Sequence, residues 1–163
     1  MPSLEPVVSN TTPLITLGGA GLLELFSSLY GEIWIPDVVY EEYQVGRSRY
    51  PASPNLEQLS WISVRPVSPD PNLSAMLDAG EAAAIALARA SGARLLLMDE
   101  RRGRREAARL GLPVAGSLAV LLAAKQHGLV PAIGPVLDQI VAQGRRISVP
   151  LRTQVLELAG EKG

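Results

Sequence analysis

Arg94-Leu95-Leu96-Leu97-Met98-Asp99-Glu100 decides the architecture. An apolar run without polar alternation reads as a strand covered on both faces, as the strands of a parallel sheet are. Working outward, Leu73 to Ala90 reads as one long alanine-rich helix before this strand, and an arginine-rich helix over 102–110 follows it. Pro113-Val114-Ala115 then supplies a short strand. Towards the amino terminus, Leu4 to Val8, Ile33-Trp34-Ile35 and Trp61-Ile62-Ser63-Val64 read as three further strands. Thr12-Pro13 looks like a helix start, a hydroxyl cap followed by a proline with suitable φ. That helix breaks at Gly18-Gly19, resumes at Gly21 and ends near Tyr30-Gly31. Pro36 or Asp37 opens another, residues 46–56 read as a loop, and Pro66, Pro69 and Pro71 break the chain. Ser117 caps a helix that Gly128 ends, and helices fill about 131–143 and 150–160. Strands alternating with helices predict an α/β fold, a three-layer α/β/α sandwich around a central parallel sheet.

Composition narrows the chemistry. A chain of 163 residues fits one domain. With no cysteine, disulfides, thiolate zinc sites and cysteine nucleophiles are excluded, and with one histidine, His127, no His–His metal pair exists. No apolar run reaches the ~18 residues of a membrane span, and Met1 to Pro6 lacks the features of a signal peptide, so a cytoplasmic protein is expected. The net charge of −1 conceals an uneven distribution. Residues 1–46 carry Glu5, Glu24, Glu32, Asp37, Glu41 and Glu42 and no base, whereas residues 101–109 carry Arg101, Arg102, Arg104, Arg105 and Arg109 against Glu106. Such a segment reads either as a solvated helix face or as a phosphate-binding track.

In open parallel sheets the working site lies beyond the carboxyl ends of the strands. That rule selects Ser9-Asn10-Thr11-Thr12 and Asp99-Glu100. Each has a local reading beside a chemical one. Asp99 can cap the next helix, or Asp99 and Glu100 can offer hard oxygen ligands to Mg²⁺ or Mn²⁺. Asp78 and Glu81 share a helix face as ligands if Ser74 is the cap, or form a capping box if Asp78 starts a helix. Glu42 lies on the side of Val38 and Val39, with Glu41 outward, in turns where the helix dipole favours acids anyway. Asn10, Thr11 and Thr12 are either a cap and an Asx-type turn or a cluster of neutral oxygens facing those acids. His127-Gly128 reads as a helix end. Dinucleotide, P-loop and serine-hydrolase motifs are missing. A receiver-type phosphotransfer protein would show paired acids near residue 10 and a lysine after a later strand, and the sequence has neither.

Val7 to Ile15, Ile35 to Glu42, Gly80 to Ala88, Leu96 to Arg101 and Gly116-Ser117, in that order, resemble the PIN domain family. The closest likeness is to its small stand-alone prokaryotic members that accompany toxin–antitoxin pairs. The resemblance covers about residues 6–130 and leaves 131–163 as a C-terminal helical extension of the single domain 1–163. It implies a Rossmann-like parallel sheet and acids that bind Mg²⁺ or Mn²⁺ to hydrolyse RNA. Carried over, the acidic positions fall on Asn10, Glu42, Glu81 and Glu100 with Asp99 beside it, and the hydroxyl positions on Thr12 and Ser117. Asn10 departs from the usual Asp and removes a negative charge.

The expected function is a metal-dependent endoribonuclease hydrolysing RNA phosphodiester bonds, as the toxin of a toxin–antitoxin pair with a protein antitoxin as partner; the alternative is a catalytically weak or inactive module that binds RNA or a protein partner. Arg101, Arg102, Arg104 and Arg105 would hold RNA phosphates. A homodimer is implied by the resemblance, with helices near 20–30 or 37–45 as candidate surfaces, because Leu22, Leu23, Leu25 and Phe26 exceed what one helix face needs.

Overall fold

The computed structural model describes residues 5–68 and 70–162. Leu4 of the first expected strand and Pro69 of the proline-rich break lie outside them. Five parallel strands, β1 (Val7–Ser9), β2 (Ile33–Pro36), β3 (Ile62–Arg65), β4 (Leu95–Leu97) and β5 (Val114–Ala115), form one sheet in the order β3-β2-β1-β4-β5. The chain returns to the middle of the sheet to place β4 beside β1, with Val7, Val8 and Ser9 opposite Leu95, Leu96 and Leu97.

The leucine run is covered on both faces, as expected. Leu97 joins Val7, Ile33 and Ile35 in a core with Leu17, Phe26, Leu121 and Leu137, whereas Leu96 and Met98 join Val8 in a second core with Ile85 and Ala107. The first core is packed by α1 (Thr11–Gly19), α2 (Glu24–Tyr30), α3 (Asp37–Gly46), α7 (Ser117–Gln126), α8 (Gly134–Ala142) and α9 (Val149–Leu158). The second is packed by α4 (Pro71–Met76), α5 (Ala79–Ser91) and α6 (Arg101–Arg109). Period-two alternation of apolar side chains therefore feeds both outer layers of an α/β/α sandwich.

Several expectations are corrected. The single helix expected over Leu73–Ala90 is two helices, because Asp70 caps α4 through the Asn72 and Leu73 amides and Asp78 caps α5 through the Glu81 amide. Short Asp side chains compete for nearby backbone in this way; Ser74 lies inside α4. Gly92 closes α5 at φ 62°, the left-handed conformation glycine adopts without steric cost. The 46–56 stretch is partly ordered as short 3₁₀ turns at Arg47–Arg49 and Leu56–Gln58. Of the four apolar residues at the start of α2, Leu23, Leu25 and Phe26 are buried in the chain's own core and Leu22 is half-buried against it. His127 ends α7 with its Nδ1 2.8 Å from the Ala123 carbonyl. The C-terminal helices are integrated with the rest: Val155 and Leu156 are buried, and the Glu161 carboxylate accepts from the Ile133 and Gly134 amides and from Lys125 Nζ. Among the described residues, no single helix is long and apolar enough to cross a membrane.

Candidate functional site

Connections from β1 and β4 leave in opposite directions along the sheet, which makes the crevice above these two strands the switch point where ligands bind in open α/β sheets. Asn10 leaves β1 there, its amide donating to the Leu97 carbonyl at 2.9 Å. It occupies the cap position of α1, so the helix starts at Thr11 and not at Thr12-Pro13, and its side chain makes no capping bond. The Asn10 side chain is 3% exposed and its Oδ1 has no hydrogen-bond partner. Both threonines are drawn to carboxylates. Thr11 Oγ1 donates to Glu42 Oε2 at 3.0 Å, and Thr12 Oγ1 donates to Glu100 Oε1 at 2.9 Å. Glu42 is thus the site-facing member of its pair, as helical phase suggested, while Glu41 makes no such contact.

Gly80 shapes the space between these groups. A Cβ on it would lie 2.6 Å from Glu42 Oε1 and 3.2 Å from Asn10 Oδ1, so both oxygens converge on the gap left by its missing side chain. The Asp78–Glu81 alternative resolves as a capping box: Asp78 Oδ1 accepts from the Glu81 amide at 2.8 Å and Glu81 Oε1 accepts from the Asp78 amide at 3.3 Å. Glu81 nonetheless faces inward, 6% exposed, with Oε2 against Gly103. Burial raises the Glu81 carboxyl above the ordinary range, and the charges of Asp78 and Glu100 add to this. Partial burial raises Glu42 as well, against the bond from Thr11, and Asp78 again adds to it. Asp78 therefore belongs to the site electrostatically while serving as the cap of α5.

Asp99 and Glu100 part ways. Both oxygens of Asp99 are taken by Ser117, from its amide at 2.6 Å and its hydroxyl at 2.7 Å. Asp99 thus caps α7 from across the sheet, and Ser117 is the first helical residue behind Gly116, not the cap expected. Neither acid caps α6, where Glu100 holds the cap position without a side-chain bond. The arginines of α6 do not form one track: Gly103, Glu106 and Ala107 make its buried face, and of Arg101, Arg102, Arg104 and Arg105 only Arg104 lines the groove that opens beside Thr12 and Glu100.

Among the described residues, no three Asp, Glu or His side chains are grouped closely enough to hold a metal by themselves. The crevice instead concentrates acceptors: an unpartnered amide oxygen, two carboxyls raised by burial and a nearby Asp78, met among the described residues by the Thr11 and Thr12 hydroxyls and the capping-box amides. All-oxygen donors so gathered fit a hard divalent cation. Asn10, Glu42 and Glu81 would hold it, with Glu100, fixed by Thr12 and close enough to act on Glu81, completing the set.

No curated protein matches the chain. A family model described as a PIN domain matches residues 6–161, reaching past residue 130 through α8 and α9. Parallel β3-β2-β1-β4-β5 order, the oxygen-rich crevice at the β1–β4 switch and a match over nearly the whole length agree, and the chain belongs to the PIN domain family, which has a nuclease-like fold and generally depends on divalent metal.

Proposed function

We propose that this protein is a Mg²⁺- or Mn²⁺-dependent endoribonuclease, hydrolysing RNA phosphodiester bonds in the cytoplasm as the toxin half of a toxin–antitoxin pair. The observation that carries the reading is the buried, unpartnered Asn10 Oδ1 converging with Glu42 on the hollow at Gly80. A divalent cation supplies Lewis-acid polarisation and charge neutralisation at a phosphodiester. Thr11 and Thr12 orient Glu42 and Glu100, the Asp78 capping box aims Glu81 inward, and Asp99 fixes the start of α7. His127 lies at the opposite end of α7 from Ser117, its Nδ1 on the Ala123 carbonyl, and has no role in this reading.

A second reading, a weak or inactive module that binds RNA or a protein partner, is favoured by the neutral amide at Asn10 and by the lack of a three-acid group among the described residues. A calorimetric Mn²⁺ titration of the wild type and Glu81→Gln, with an RNA cleavage assay of both, separates them. The nuclease requires binding and cleavage that the substitution abolishes. No binding at millimolar ion supports the module.

A further inference from the structure

A groove of about 810 Å³ runs from Thr12 and Glu100 between α1, α7 and the C-terminal helices. Its size is that of a ligand cleft. Three of its cations come from distant segments: Arg104 from α6, and Arg145 and Arg146 from the turn between α8 and α9. Among the described residues none of the three is in an ion pair, whereas Arg65, Arg89, Arg109 and Arg152 each have an acid. The groove is acidic at its crevice end, where Asp99 and Glu100 line it, and mixed beyond: Gln143 and Gln154 sit among apolar side chains, with Leu151 41% exposed along the wall and Tyr50 contributed by the loop after α3. Thr16, 5% exposed, lies in the lining one helical turn beyond Thr12, and its hydroxyl has no partner. A buried hydroxyl of that kind is costly until something bonds it.

Resting on the nuclease reading, we propose that this groove is a subsite for an unpaired RNA nucleotide beside the cleaved bond, with its phosphates on Arg145 and Arg146 and its base against Tyr50 and Leu151. Guanidinium forks match phosphate oxygens bidentately. A base reaches an aromatic or apolar wall and the Thr16 hydroxyl only when it is unpaired, because a duplex presents its backbone and keeps its bases stacked. The subsite therefore makes the protein select single strands. An acidic peptide would satisfy the arginines but has no planar face to set against Tyr50.

The test is fluorescence anisotropy with a labelled single-stranded RNA octamer, the same octamer annealed to its complement, and an octaglutamate peptide, all in EDTA. The wild type should prefer the single strand. Arg145→Gln/Arg146→Gln should weaken it at least tenfold and flatten its logarithmic salt dependence by about 1.4, for two phosphate contacts on a single strand. Tyr50→Ala should weaken the single strand and leave the duplex unchanged, and Arg89→Gln, on the opposite layer, should change neither. Equal loss on both RNAs, a loss carried by Arg101→Gln/Arg102→Gln with the Arg145/Arg146 pair inert, or tighter binding of the peptide than of RNA would overturn the proposal. Cleavage and Mn²⁺ titration of the Arg145/Arg146 variant separate the two readings. Metal binding with undiminished cleavage sinks the subsite alone, and arginine-dependent single-strand binding without metal binding sinks the nuclease alone.

Discussion

The Thr12 hydroxyl donates to Glu100 Oε1 at 2.9 Å, joining residues 88 positions apart at the carboxyl ends of neighbouring strands. This bond holds the acid of β4 against the first turn after β1, where Asn10 lies. Thr12→Val keeps the shape and removes the donor. As a partly exposed change it should leave stability within about 0.5 kcal/mol. Mn²⁺ affinity should fall about tenfold, the effect of losing a partner that orients a ligand. An unchanged titration would place Glu100 outside the metal site.

Gly80 is the bare spot on which Asn10 and Glu42 converge. Gly80→Ala puts a methyl group there while improving helix propensity by about 0.5–1 kcal/mol. The variant should melt no lower than the wild type and bind Mn²⁺ at least tenfold more weakly. Stability and binding moving in opposite directions is the signature to look for.

Asn10→Asp adds a negative charge beside Glu42, Asp78 and Glu81. Like charges in a partly buried cluster disfavour one another, so the metal-free variant should melt lower than the wild type. Its Mn²⁺ affinity should rise about tenfold, some 1.4 kcal/mol, and any RNA cleavage should increase with it. A variant destabilised with and without Mn²⁺ to the same extent would count against a cation at this position.

Asp99 caps α7 through the Ser117 amide and hydroxyl. Asp99→Ala should cost about 1–2 kcal/mol in denaturant unfolding, as lost caps do, and leave the Mn²⁺ titration within twofold. A loss of metal binding at full stability would return Asp99 to the ligand set.

Glu161 ties the chain's end to the start of α8. The Ile133 amide, then Lys125 and the Gly134 amide, hold its carboxyl down to about 2. A folded-state value below the ordinary 4.5 means that this stabilisation is complete above that pH and is lost as pH falls towards 2. Glu161→Gln should lower the melting temperature by about 3–5 °C at pH 7. The gap between variant and wild type should close on acidification.

The layers of this fold are written in local sequence. A strand buried on both faces must be apolar throughout, so Leu95 to Met98 announces a parallel strand, and Gly18-Gly19, Pro36 and Gly128 mark element ends through backbone sterics that act over a few residues. The rule that sites lie beyond strand ends then reached Asn10 and Glu100 without any contact being known. Leu73–Ala90 reads as one helix in the sequence because Asp78 and Ser74 are equally good caps and local chemistry does not choose between them. Tertiary structure decided the rest, because each remaining outcome depends on groups far apart in sequence. Asp99 turned to Ser117 and Glu100 to Thr12 because β5 and β1 flank β4 on opposite sides. Gly80 became a hollow only once α5 lay against Asn10 and Glu42. Arg145 and Arg146 came to share a groove with Arg104 because α8 and α9 pack back onto α1 and α7, burying apolar surface that no local pattern ties to the acids. Spacing along the chain sets what a residue can do, and the strand order sets what it meets.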